Sequence, residues 1–402
     1  MKRIINMVGT SIFENYIKEN NDRDFLRYYE GLKNKRVKDW EEEKERIRRL
    51  KNKISTWIED KIKKAPEAVS AEIKSLTKLS KELDDDFEIF LLSSDTVLSK
   101  LAGEILKENL SKIKNFENKK VELKEIKGLQ VWDRQEFNLG LSNLITEIYR
   151  IANEYWENII INITGGYKAT LPYLTILAQI NRCPIYYVFE DTDALIKIPQ
   201  IPISINWSIF EKNEEFFFNL EKEGIEEIED EKKIDPSIVS LLESADNLYS
   251  LNPLGIALWE RYKSEYDFIY VSHEIEEYLN KNPEKKKIFE SSIFELKRRL
   301  RENPDNPDLN HILKGVNLPK GFKTFKHKEE NLQVRILYRD DRYETRYGSE
   351  EILLYVGLIA IGSEVHNAES EYVEFFKRLG DRVINIEKYK FTKIKKGRYS
   401  DV

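Results

Sequence analysis

Residues Ile159–Ile180 read IIINITGGYKATLPYLTILAQI, and this stretch decides the fold of the first half of the chain. The apolar run Ile159–Ile163 predicts a buried strand. The adjacent Gly165 and Gly166 predict a tight turn, and the apolar residues beyond them predict a helix over Lys168–Asn181. Adjacent glycines let the backbone approach a ligand closely, and unpaired N–H groups at a helix start attract phosphate oxygens. Lys168, in the first turn of that helix, adds a positive point charge. The combination points to a phosphodiester ligand. The plain alternative is a strand-to-helix turn that needs glycine for geometry alone, with Lys168 solvated.

Working outward, the same grammar recurs. Arg3–Val8 predicts a strand followed by the turn Gly9-Thr10-Ser11. A strand over Glu88–Leu92 runs into Ser93-Ser94-Asp95-Thr96 and a helix over Val97–Leu110. A further strand near Lys120–Ile126, a helix over Arg134–Trp156 and a strand over Pro184–Phe189 complete the alternation. Alternating strands and helices imply a parallel sheet in a Rossmann-like, doubly wound α/β domain. Ligands of such sheets sit beyond the carboxyl ends of the strands. Three small polar turns, Gly9-Thr10-Ser11, Ser93-Ser94 and Thr164-Gly165-Gly166, are therefore expected along one edge. Asn15–Leu83 interrupts the pattern as a charged helical insertion whose apolar positions, Phe25, Leu32, Ile47, Leu50 and Ile54 among them, fit helices packed on one another.

The chain has 402 residues, 41% hydrophobic and 34% charged, which suits two or three soluble domains. The net charge of −6 averages over unlike segments: Lys377–Val402 carries nine Lys/Arg against three Asp/Glu, while Glu211–Asp235 is dominated by acids. A locally basic end is what RNA contact needs. The one cysteine, Cys183, excludes an intrachain disulfide framework, and four scattered histidines give no structural zinc site. No long apolar run or signal-peptide pattern is present, so no membrane partner and a cytoplasmic location are expected.

Pro199, Pro202 and the acidic stretch predict a boundary, giving a first domain over 1–210. An acidic linker and a helical connector follow over 211–284, broken at Pro253. The remainder, 285–402, reads as α+β. A basic helical segment, Lys285–Arg301, precedes strands around Phe322–Lys328, Gln333–Arg339, Glu344–Tyr347 and Ile352–Ile361, with a last helix from about Glu369.

The turns Val8-Gly9-Thr10-Ser11 and Ile163-Thr164-Gly165-Gly166-Tyr167-Lys168-Ala169-Thr170 resemble the CARF domain of type III CRISPR ancillary proteins. The resemblance covers roughly the first half of the chain. It implies a two-fold homodimer whose symmetry axis carries a cyclic oligoadenylate, the tetramer by resemblance, as allosteric activator and with no cofactor. The ligand residues it implies are Gly9, Thr10, Ser11, Ser93, Ser94, Thr164, Gly165, Gly166, Tyr167 and Lys168. Independently of that, the hydroxyls among them suit phosphate or adenine contacts.

For the second half, a HEPN ribonuclease is disfavoured: none of His273, His311, His327 and His366 has an arginine at the required upstream spacing. A PD-(D/E)xK nuclease is disfavoured because Glu295-Leu296-Lys297 falls on a predicted helix. Ile288–Leu379 instead looks like the RelE family of ribosome-dependent messenger RNA interferases. The features are the basic helical segment, Leu313-Lys314-Gly315, Lys326-His327-Lys328, Val334-Arg335-Ile336-Leu337-Tyr338, Ala360-Ile361-Gly362 and Tyr372. The resemblance implies catalytic roles for Lys326, Lys328, Arg335 and Tyr372, with mRNA and the ribosome as partners. Where the family has a second catalytic arginine this chain has Ser363 and Glu364, which leaves His366 for that role.

Cleaving RNA without a metal requires the 2′-hydroxyl to lose a proton, the phosphorane to be neutralised and the 5′-oxygen to be protonated. Lys326 and Lys328 alternate on a strand, so both project from one face. One serves as base while the other and Arg335 hold anionic oxygens. Tyr372 stacks on a base or orients the nucleophile, and His366 acts as acid. The basic helix and the basic C-terminal tail suit ribosomal RNA phosphates. The plain alternative is that K-x-K is an exposed edge-strand face and His366 a surface loop residue. Two other readings stay open: a gated nuclease acting on free RNA or DNA without a ribosome, and a non-enzymatic ligand-responsive regulator whose helical connector binds DNA while the C-terminal domain merely packs.

Overall fold

The computed structural model describes residues 1–402 apart from 84, 190–192, 225–234, 246–247, 313–317, 330, 346, 367–382 and 397–402. The chain opens with β1 (Lys2–Val8), α1 (Ser11–Asn20), α2 (Arg23–Leu32), α3 (Lys44–Lys64) and α4 (Ala71–Glu82). Next come β2 (Phe87–Ser94), α5 (Val97–Leu110), β3 (Val121–Ile126) and α6 (Arg134–Ala152). They are followed by β4 (Ile159–Asn162), α7 (Leu171–Asn181), β5 (Ile185–Val188), β6 (Leu195–Ile198), α8 (Ser208–Glu211) and α9 (Glu214–Lys222). The middle of the chain carries α10 (Pro236–Val239), β7 (Leu242–Ala245), β8 (Leu248–Leu251) and α11 (Pro253–Lys263). The last elements are β9 (Tyr266–Val271), α12 (His273–Lys281), α13 (Lys286–Glu302), β10 (Lys323–Glu329), β11 (Leu332–Glu344), β12 (Glu350–Ile361), α14 (Ser363–His366) and β13 (Lys390–Lys395). They form two compact units, one of Met1–Ile209 with Glu226–Glu260, the other of Phe210–Ile225 with Arg261–Val402.

The first unit is an α/β fold built on a six-stranded sheet of order β3-β2-β1-β4-β5-β6. Every pairing is parallel except β5–β6. After β1 the chain builds outward through β2 and β3, then returns to the other side of β1 for β4. The order therefore reverses between β1 and β4, where a doubly wound sheet opens its ligand crevice. The alternation along β1 sends Ile4 and Val8 to a face covered by α1–α5, with Ile89 and Leu91 of β2 beside them. The inserted helices earn their helical pattern by burying stripes: Ile47, Leu50, Ile54 and Ile58 on α3, and Phe25, Tyr29 and Leu32 on α2. Each such burial contributes about 1.5–3 kcal/mol. Asp22 and Ser70 cap α2 and α4 by accepting the N–H of Phe25 and Ile73.

The second unit holds a five-stranded sheet of order β10-β11-β12-β9-β13. β10, β11 and β12 form an antiparallel meander, β9 joins β12 in parallel, and β13 closes the edge against β9. One face packs on α12 and α13 through Ile275, Phe289, Ile293, Leu296 and Leu300. The other carries a smaller cluster of Phe322, Leu337, Leu358, Val383 and Tyr389.

Several local expectations are corrected. The residues expected as a helical connector, 211–284, do not form a body of their own. Leu242–Ala245 and Leu248–Leu251 pair as a hairpin, and Tyr266–Val271 is a strand inside the second sheet, so that unit draws on residues well before 285. The β-branched and aromatic run YDFIYV carries a period too short to separate from an apolar helix segment by pattern alone. The separate strand expected at Glu344–Tyr347 is instead the end of β11 and the turn after it. α6 stops at Ala152 because Asn153 adopts a left-handed cap, four residues before the expected end. Part of the basic tail is not a solvated run: β13 pairs with β9, Lys390 bonds Glu276 and Lys393 bonds Glu214.

Candidate functional site

At the switch point of the first unit the turns after β1 and β4 meet. A Cβ added to Gly9 would stand 3.0 Å from the Gly166 nitrogen, and one on Gly165 would stand 2.5 Å from Glu72 Oε1 and 2.7 Å from the Met7 carbonyl oxygen. Gly166 has a φ of +84°, which side-chain-bearing residues rarely adopt. Glycine is therefore required at both positions of the second turn.

The turn after β1 is fastened by Glu72 of α4, which is 1% exposed. Its Oε1 accepts the Gly9 N–H at 2.8 Å, and its Oε2 accepts the Ser11 hydroxyl at 2.9 Å. Ser11 Oγ in turn accepts the Ala71 N–H at 3.0 Å. Two groups expected to face a ligand are thus bound to an internal carboxylate. Ser11 is also the first residue of α1, not part of the turn.

The remaining expected ligand residues divide in two. Ser94 and Tyr167 are joined by Thr96, which was not expected there: Ser94 Oγ lies 3.1 Å from Thr96 Oγ1, and the half-buried Tyr167 side chain is close to both. Burial raises the Tyr167 hydroxyl above the ordinary tyrosine range. Lys168 is exposed, in a short 3-10 turn (Lys168–Thr170) that precedes α7, so α7 itself begins at Leu171 with proline second, where its missing N–H costs nothing. Thr10 donates to Glu14 Oε1 at 2.9 Å. Ser93 and Thr164 are turned into the fold. Ser93 is fully buried with its hydroxyl 3.5 Å from the Lys124 carbonyl. Thr164 Oγ1 donates to Asn162 at 2.7 Å and accepts the Val188 N–H at 3.0 Å.

In the second unit, Lys326 lies directly opposite Arg335 and Lys328 opposite Gln333. Opposed residues share a face, so Lys326, Lys328 and Arg335 project together on the side away from α12 and α13. Lys328 is exposed, Lys326 half-buried and Arg335 8% exposed. The Arg335 guanidinium donates to Gln333 Oε1 and to the Val334 carbonyl. His327, between the two lysines in sequence, points the other way: its ring stacks on Phe325 and bonds Glu329 at 2.9 Å. Three cations at strand spacing can hold a phosphodiester and the charge that develops on its oxygens.

His366 ends α14. Glu364, on the same short helix where the RelE-like pattern would place an arginine, accepts from Tyr278 Oη at 2.7 Å, Lys285 at 2.8 Å and the Ile361 N–H at 2.9 Å. Burial pushes its carboxyl up, but those bonds more than reverse this and leave it below the ordinary value. Tyr372, Leu313, Lys314 and Gly315 lie outside the described residues.

The sequence reading missed two residues. Glu72 had no signal, being one acid among many on an amphipathic helix. His311 had one, since it lies upstream of the lysine-bearing strand in a segment rich in turn residues. Its N–H donates to the Thr324 carbonyl at 2.8 Å. Burial first, then the Arg335 and Lys326 cations, lower its imidazole below the ordinary histidine value.

Glu295 and Lys297 do not converge. Lys297 is buried against Asp267 at 3.0 Å, whereas Glu295 bonds Arg298 and Arg299, because positions two apart on a helix face opposite sides. Among the described residues no group of three or more His, Cys, Asp or Glu side chains is placed to hold a metal ion, and no helix is long and apolar enough to cross a membrane.

The first unit thus has a Rossmann-like α/β fold with two glycine turns at its switch point. Residues 67–201, from the approach to α4 through β6, match the family described as CRISPR-associated protein (Cas_APE2256). The match includes Glu72, Ser93, Ser94 and Thr164–Lys168 and leaves out the lysine-bearing sheet. No curated protein matches the chain. Among solved structures, Can2 from Sulfobacillus thermosulfidooxidans in complex with cyclic tetra-adenylate is similar over 95% of this chain and 86% of that chain, at 10% identity. The TM-score is 0.23, too low for the likeness to carry an argument.

Proposed function

We propose that this chain is a cyclic oligoadenylate-gated endoribonuclease of CRISPR defence, working without a metal on mRNA held by the ribosome. The activator, cyclic tetra-adenylate by the CARF resemblance, binds a homodimer over the β1–β4 switch point. The observation that carries the reading is the approach of Gly9 to the Gly166 nitrogen, which brings the two glycine turns together at the switch point, with Lys168 two residues on and the Ser94 and Thr96 hydroxyls at the end of the neighbouring strand. The family match over 67–201 supports the CRISPR setting.

The shared face of Lys326, Lys328 and Arg335 supports the RelE-like effector. Attack of the 2′-oxygen on phosphorus builds negative charge on the phosphorane oxygens, which the three cations neutralise. The bond to the 5′-oxygen then breaks, leaving a 2′,3′-cyclic phosphate and a 5′-hydroxyl. Activator binding and mRNA binding are linked reciprocally.

The test is calorimetric titration with cyclic tetra-adenylate, followed by cleavage of ribosome-bound and naked mRNA with and without it. Tight binding and activator-dependent cutting of the ribosome-bound messenger, unaffected by chelators, are expected. Equal cutting of naked RNA would remove the ribosome from the reading. Cutting abolished by chelators would remove the lysine mechanism, and no heat of binding would remove the sensor.

A further inference from the structure

The proposed cleavage leaves open which group takes the 2′-proton. We infer that His311, held at the rim of the Lys326–Arg335 face, is the general base of this site. The inference rests on the endoribonuclease reading above.

The anchoring is specific. Asn306 starts the preceding turn by accepting the Asp308 N–H at 2.9 Å, and Tyr338 Oη donates to the Leu309 carbonyl at 2.8 Å. The His311 N–H then closes on the Thr324 carbonyl at 2.8 Å, two residues before Lys326 on the same strand. Residues 309–311 are thus stitched to β10 at Thr324 and to β11 at Tyr338, two and three rungs along the ladder from the pair Lys326–Arg335. The ring is half-buried, and the charged groups around it are Arg335 on β11, Lys326 on β10 and Asp308 on the preceding turn. Burial first, then the two cations against the one carboxylate, favour neutral imidazole, the form that accepts a proton. The histidine of β10 itself, His327, is on the opposite face and bonded to Glu329. With His311 as base, the lysines are left to face the phosphorane and the leaving 5′-oxygen.

The step balances. An imidazole nitrogen of His311 takes the 2′-hydroxyl proton as the 2′-oxygen bonds to phosphorus. The phosphorus–5′-oxygen bond breaks, and the 5′-oxygen takes a proton from the Lys326–Lys328 pair. Water carries the proton from imidazolium back to the lysine.

The experiment is single-turnover cleavage of ribosome-bound mRNA by the full-length protein with cyclic tetra-adenylate, from pH 5 to pH 9, for wild type, His311→Asn and His311→Ala. Wild type should show an acidic limb with a midpoint below the ordinary histidine value. Both variants should lose roughly a hundredfold or more in rate at neutral pH and lose that limb, with mRNA binding retained. Added imidazole should restore part of the His311→Ala rate. Variants that bind mRNA and keep wild-type rate and limb overturn the inference alone. A variant that loses mRNA binding, or a slow His311→Ala without imidazole rescue and with its limb intact, also overturns it in favour of a structural role. A wild type that never cuts overturns the nuclease reading itself.

Discussion

The two candidate sites are assembled by opposite means. The sensor turns are shaped by backbone: two glycine turns in contact, a positive φ at Gly166, and a buried carboxylate fastening one side. The effector face is shaped by side chains, three cations brought together by strand register. A backbone site tolerates little change of volume, because nothing in it can rotate away. A side-chain site tolerates changes of shape but not of charge. The same kind of substitution should therefore damage the two sites differently.

The largest effect is expected from Lys326→Ala with Lys328→Ala. Cleavage should fall roughly a thousandfold while the calorimetric affinity for cyclic tetra-adenylate stays at the wild-type value. Unchanged cleavage would end the contrast by leaving the sheet face without chemistry. Next is Gly165→Ala, whose methyl group would meet Glu72 and the Met7 carbonyl. It should destabilise the first unit by about 1–3 kcal/mol in denaturant melts and weaken the ligand more than tenfold. A neutral result would show that the turn is not close-packed. Lys168→Ala should weaken the ligand roughly tenfold with no loss of stability, and the wild-type affinity should fall with salt more steeply than the mutant's. The smallest effect concerns Glu295, where burial acts upward but the bonds to Arg298 and Arg299 prevail and hold the carboxyl at about 2. A group depressed below its unfolded value near ~4.3 stabilises the fold above that pH and ceases to do so as pH falls toward the folded value. The stability gap between wild type and Glu295→Gln should thus narrow between about pH 5 and pH 2. A gap independent of pH would separate Glu295 from those arginines.

Much of the first unit was legible because its signals are local. The strand Ile159–Ile163, the glycine pair and the alternation of strands and helices each lie within a few residues, and together they place the turns along one edge. Glu72 was not legible, since it reaches the turns across some sixty residues of insertion and only the folded chain brings it there. In the second unit the period of two on Lys326 and Lys328 was readable, and register with Arg335 followed the expected spacing. β9 was missed because a short apolar strand between helices has no periodicity of its own, and β13 because alternating lysines read as a tail until their partners Glu214 and Glu276 are seen. The orientation of Ser93 and Thr164 depends on neighbouring strands, which a single segment does not disclose.

The Glu72 fastening has a kinetic consequence. Because a carboxylate from within the protein already holds the Gly9–Ser11 end of the crevice, the proposed capture of a ring there would need little freezing of that loop. A detector built this way should engage at rates set mainly by diffusion and charge. On the proposed function, its duration of signalling would be governed by how quickly the ring escapes or is destroyed.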